Sequence, residues 1–149
     1  YSNEMYKTAN MPGVAVGLAW TYVGGDILFI ETTLSEGKGD LQLTGNLGTV
    51  MKESASTAYT FLQANAKKVG IDIELFKKKN IHIHVPEGAV PKDGPSAGAA
   101  LTLAIYSILT GILGIFSILV IYFIIFRHKI MEQLSMYEIL IKIGINATI

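Results

Sequence analysis

From Val14 to Tyr22 the chain alternates. Val14, Val16, Leu18, Trp20 and Tyr22 share one parity, and Ala15, Gly17, Ala19 and Thr21 share the other. A period of two predicts a strand, because successive side chains point to opposite faces. Gly24-Gly25 is a short turn signal, and "DILFIETTL" (26–34) reads as the returning strand of a hairpin. "SEGKGD" is a polar glycine-rich loop, and "LQLTG" predicts another short strand. From Asn46 the period changes to that of a helix. Leu47, Val50, Met51, Ser54, Ala58, Phe61 and Leu62 fall on one face, with Asn46 as the cap. The helix is expected to run to about Lys68, where Gly70 ends it.

"IHIHV" (81–85) predicts a short strand, "PEGAVPKDGP" is a loop punctuated by three prolines, and "SAGAALTLAIYSILTG" reads as a buried helix starting near Ser96. Strands with interspersed helices predict a mixed α/β domain, and no internal repeat is visible. Beyond Gly111 the pattern breaks. "ILGIFSILVIYFIIF" (112–126) has no charge, and twelve of the last 38 residues are isoleucine, so the organisation divides at Thr110-Gly111.

Composition narrows the classes. At 149 residues the chain is one domain's worth. Twelve basic and twelve acidic side chains balance, which gives no electrostatic footprint for nucleic acid. No cysteine is present, which excludes disulfides and thiolate metal sites. The chain begins at Tyr1, and "YSNEMYKTANMPG" has neither the cationic start nor the apolar core of a signal peptide, so residues 1–11 read as a lead-in from an upstream module.

Chemistry concentrates in "PKDGPSAG" (91–98). Asp93 or Ser96 can cap the helix that follows. Alternatively, Ser96 is a nucleophile, because a hydroxyl at a helix N-terminus sits beside unpaired N–H groups and the positive end of the helix dipole, which suit an oxyanion. Ala97 and Gly98 would leave the backbone open to a substrate. His82 and His84, two apart on one strand, face the same side and amount to half a metal site, or else to a solvated or loop-contacting face. Glu53 lies mid-helix beside Lys52, where a solvated position is the default. "GKGD" and "GNLGTV" match neither a phosphate loop nor a dinucleotide fingerprint, so no ATP site and no cofactor is expected in this chain.

The longer strings go further than pattern. "PGVAVGLAWTYVGGDILFIETTLSEGKGDLQLTGNLGTVMKESA" followed by "IHIHVPEGAVPKDGPSAGAALTLAIYSILTG" resembles the proteolytic domain of Lon, the ATP-dependent serine proteases, over about residues 12–111. The resemblance implies the compact α/β fold of Lon peptidase domains and a Ser–Lys endopeptidase that degrades unfolded or damaged proteins. Ser96 matches the family's nucleophile, and Asp93 the acid of the same loop, which helps shape the site. His82, His84 and Glu53 match positions near the active-site region, in supporting roles. Members assemble as homo-hexameric rings, and an upstream AAA+ module uses ATP and Mg to unfold substrates. Bacterial relatives work in the cytoplasm, eukaryotic ones in the mitochondrial matrix or the peroxisome.

In this family the base is a lysine some forty residues after the serine, in a segment resembling "AMTGE…LPIGGLKEK". Residues 112–149 hold nothing like it, so no base lysine is identified. Lys129 and Lys142 are the lysines beyond Ser96, and neither has the flanking pattern. The expectation is a truncated proteolytic domain (12–111) with a divergent isoleucine-rich tail (112–149), inactive by itself. The tail is expected to form a hydrophobic helix. Residues 112–126, flanked by Arg127-His128-Lys129, are also a membrane-span candidate, though 16 residues from Gly111 is short. That gives the alternative of a membrane-tethered, or ring-joining, non-catalytic relative. A third reading fits the tail better: an abrupt switch to Ile, Phe, Tyr and Lys at one residue is what translation of an AT-rich intron or a shifted frame would yield.

Overall fold

β1 (Val14–Thr21) and β2 (Gly24–Glu36) pair antiparallel, with Val14 opposite Glu31 and Thr21 opposite Gly24, so the alternating stretch does form the expected hairpin. The computed structural model describes residues 11–21, 24–86, 92–94 and 97–113 of the chain. β3 (Leu41–Thr44) and β4 (Lys79–His84) complete a four-stranded sheet of order β1-β2-β4-β3. β4 lies antiparallel to β2 and parallel to β3. Three helices follow in chain order: α1 (Thr49–Ala64), α2 (Leu75–Lys78) and α3 (Gly98–Thr110). The mixed α/β expectation holds, while the expected tail helix and membrane-span candidate lie outside the described residues. Among the described residues no helix is long and apolar enough to cross a membrane.

One face of the sheet is the core face. Ile30, Ile81 and Ile83 are fully buried there, and α3 packs on it with Leu101, Ala104 and Ile105. On β1 the small parity meets the helix: a Cβ at Gly17 would lie 3.2 Å from the Ala100 methyl, whereas Val16 is 49% exposed. A close helix–strand approach needs small residues at the contact. α3 is buried nearly all round, between the sheet and α1, which is why its sequence is apolar on every side.

The α1 expectation needs three corrections. Asn46 does not cap it: Asn46 has φ 56, in the left-handed region, and the N-cap position is Gly48. The helix ends at Ala64, and turns occupy 65–70 before Gly70. Its buried stripe is Met51, Ala55, Ala58 and Leu62, leaving Val50 and Phe61 exposed. The sheet and α3 offer one narrow seam, and small alanines fill it better than Phe61 does. The short helix α2 carries no sequence signal of its own. Asn80 closes the preceding loop, its Oδ1 accepting the N–H groups of Lys38 (2.9 Å), Gly39 (3.2 Å) and Asp40 (3.0 Å).

Two tyrosines staple loops to the core. The Tyr59 hydroxyl donates to the Gly39 carbonyl (2.8 Å) with its ring edge-on to Phe76, and the Tyr106 hydroxyl donates to the Val69 carbonyl (3.1 Å). Burial raises both phenol pKa values above the ordinary 10.0, and Asp40 adds to the rise at Tyr59. The folded state therefore favours the protonated phenols. Their stability contribution is complete below about pH 10 and is lost as pH rises through the higher folded values. Far-UV ellipticity is expected to fall together with the late part of the phenolate absorbance rise, and Tyr106→Phe should weaken that coupling. Full phenolate formation with unchanged ellipticity would contradict it.

Candidate active site

β3 hands over to α1 through "GNLG", and this turn is where the nucleophile loop docks. Gly45 (φ 115) and Asn46 (φ 56) turn the chain, and Leu47 then bridges to Lys92. The Lys92 N–H donates to the Asn46 carbonyl (3.1 Å), and the Gly48 N–H donates to the Lys92 carbonyl (2.7 Å). Next to these bonds the Asp93 Oδ1 accepts the N–H of Met51 (2.8 Å) and of Gly94 (3.0 Å). Met51 is the third residue of α1, one of the first-turn donors without a partner inside the helix. α1 has no acidic side chain in its own first turn, so a carboxylate from 42 residues away caps it and complements its dipole. Asp93 thus caps the helix before the loop, not the one after it.

Ser96 lies outside the described residues. The chain on either side of it is placed: Asp93 and Gly94 on the α1 terminus, Ala97 and Gly98 at the start of α3. α3 therefore begins two residues after Ser96, close to the expected start, with Ala97 at its N-cap position. A Cβ at Gly98 would meet no atom within 4 Å, so that side of the backbone is open, as the small residues suggest.

His82 and His84 share the face of β4 opposite to buried Ile81 and Ile83, as their spacing requires. Thr44 links them: its Oγ1 lies 2.9 Å from His82 Nε2 and 2.8 Å from His84 Nδ1. A hydroxyl has one proton, so it donates to one imidazole and accepts from the other when both are neutral. Glu31 on β2 is the cross-strand neighbour of His84. Among the described residues no group of three His, Cys, Asp or Glu is placed to hold a metal ion. Glu53 is exposed on α1 and makes no side-chain hydrogen bond or ion pair among the described residues, so nothing joins it to the histidines. Lys129 and Lys142 lie outside the described residues.

Amides of both glycine-rich strings donate to groups of the fold itself. In "GKGD" the Gly37 N–H donates to the Lys78 carbonyl and the other three N–H groups to Asn80 Oδ1, and in "GNLG" the Gly48 N–H donates to the Lys92 carbonyl. Sequence reasoning missed Thr44 and Gly48. Their signal is the string "LTGNLG", whose residues are adjacent in sequence but whose partners arrive about forty residues later.

The family described as the Lon protease (S16) C-terminal proteolytic domain matches residues 1–120. A Lon protease of Flavobacterium johnsoniae is 63% identical over 107 residues, covering 72% of this chain and 13% of its own length. That of Amoebophilus asiaticus is 59% identical over 110 residues, covering 74% and 13%. That of Phenylobacterium zucineum is 57% identical over 108 residues, covering 72% and 14%. The chain thus spans 13–14% of the length of these relatives.

Proposed function

The chain belongs to the Lon protease family, through that family's C-terminal proteolytic domain, and from this premise we propose that it carries the nucleophile half of a serine endopeptidase site. The observation that supports this reading most is the loop anchorage. Asp93 fixes "KDG" on the α1 terminus, and the first turn of α3 begins at Gly98, two residues past Ser96 in the chain. Ser96 Oγ attacks the carbonyl carbon of a peptide bond while a base takes the hydroxyl proton. The α3 first-turn amides stabilise the oxyanion. The intermediate collapses to an acyl-enzyme and releases the amine, which takes up the proton, and water then hydrolyses the ester.

The base is the missing part. In the family it is a lysine whose neutral amine is favoured by burial. Lys129 and Lys142 stand in no such segment, so the chain as it stands is expected to turn over no peptide. Substrates are unfolded or damaged proteins delivered by an ATP- and Mg-dependent AAA+ module in a hexameric ring. In that arrangement nucleotide chemistry belongs to the other module, and this chain contributes the hydroxyl, the oxyanion site and the loop anchor.

A fluorogenic-peptide assay tests the reading. The chain itself should be silent. Replacing residues 112–149 with a lysine-bearing segment of the "LPIGGLKEK" type should produce turnover that Ser96→Ala lowers by about 10³-fold or more. A folded, lysine-bearing protein that stays inert, or turnover that survives Ser96→Ala, would sink the proposal.

A further inference from the structure

Gly48 stands at the N-cap of α1 with φ −71 and ψ 174, a conformation any residue adopts. Its backbone therefore does not require glycine. Its surroundings do: a Cβ built there would lie 2.6 Å from the Asp93 Cβ and closer still to the Asp93 carboxylate. No residue with a Cβ fits while Asp93 holds the Met51 amide, since real Cβ contacts are not that short. The same residue donates its own N–H to the Lys92 carbonyl (2.7 Å), so both strands of the dock pass through it.

We propose that Gly48 is a positioning residue for the nucleophile loop: its missing side chain is the seat into which Asp93 drops to cap α1, and through Asp93 it sets the loop that leads to Ser96. The functional half of this inference rests on the peptidase reading above, whereas the Gly48–Asp93–Met51 contact does not. Three groups make up the device. Met51 offers an orphan first-turn N–H, Asp93 supplies the acceptor, and Gly48 makes room for it. Any side chain at 48 pushes the carboxylate off Met51, so that the loop beyond Lys92 loses its side-chain anchor while α1 stays helical.

The test is a double-substitution cycle read by amide hydrogen exchange. Gly48→Ala and Asp93→Gly should each speed exchange of the Met51 N–H by about tenfold, the effect of losing one cap. The Gly48→Ala/Asp93→Gly protein should show no further increase, because the added methyl then has nothing to displace. Unchanged Met51 exchange in Gly48→Ala, or effects that multiply in the double variant, would overturn the proposal. Should Gly48→Ala fail to fold, the double variant decides: folding restored by Asp93→Gly supports the clash, and continued unfolding overturns it. In the lysine-bearing protein, Gly48→Ala should lower kcat about tenfold or more with KM within about twofold, since positioning acts on the reacting atoms. Equal kcat with an altered exchange rate would overturn the link to Ser96 alone. Inactivity of that protein before any change at 48 would instead be the failure of the peptidase reading.

Discussion

Gly13→Ala is expected to cost about 3 kcal/mol or more of folding stability, the sum of left-handed strain and overpacking. Gly13 has φ +90, and a Cβ there would sit 2.6 Å from the Thr32 carbonyl oxygen and 2.9 Å from Ile108 Cδ1 and from Thr32 Oγ1. The site is a buried polar knot rather than a loose turn. The Gly13 N–H donates to Ser107 Oγ (2.9 Å), and the Gly13 carbonyl accepts both the Thr32 N–H (2.7 Å) and the Thr32 hydroxyl (2.7 Å). That hydroxyl also lies 3.0 Å from the Ala104 carbonyl, and Ser107 Oγ donates to the Ile112 carbonyl. One methyl group therefore pushes on β1, β2 and α3 together, with no flexible side-chain tip to yield at the carbonyl. Urea unfolding reads the effect, and Gly70→Ala is the control. Gly70 has φ +77 but open space around it, so only backbone strain of about 1–2 kcal/mol applies. Equal midpoints for the two variants would show that the knot is not tight.

Leu101→Ala is expected to cost about 3–4 kcal/mol, and Phe61→Ser about 0.5 kcal/mol or less. Leu101 is 0% exposed between the sheet and α1, where truncation leaves a cavity that packed neighbours fill only in part. Phe61, although the larger side chain and on the expected apolar face, is 52% exposed. The pair separates hydrophobicity from burial. Comparable losses in thermal or urea unfolding would mean that Phe61 is covered in the protein in solution. Against a typical domain stability of about 5–15 kcal/mol, the Leu101 change removes a large share.

Much of the fold was legible because local rules carry it. The β1–β2 hairpin, the strand character of β3 and β4, and the apolar α3 all follow from side-chain period, although Gly24 and Gly25, expected as the turn, are already paired in β2 with Thr21 and Trp20. The common face of His82 and His84 is of the same kind, since two-residue spacing on a strand leaves no choice. The limits of α1 were not legible. Its stripe, Met51 to Leu62, competes with Val50 and Phe61 for the same seam, and only the seam's width decides between them. The β2–β4–β3 order was invisible for a similar reason, because β4 pairs with β2 (antiparallel) and with β3 (parallel) across long stretches of intervening chain.

By itself, the sequence determined the family, through "LTGNLGTVMKESA" and "HIHVPEGAVPKDGPSAG", the mixed α/β class and the change of character at Gly111. Those are properties of residue identity and spacing along one chain. Only the tertiary structure decided that Asp93 caps the helix behind it, that Thr44 joins the two histidines, and that Gly48 is glycine for the sake of a carboxylate 45 positions away. A hydrogen bond or a steric exclusion depends on the distance between two atoms, and over forty residues of intervening chain that distance is set by packing, not by the local pattern at either end.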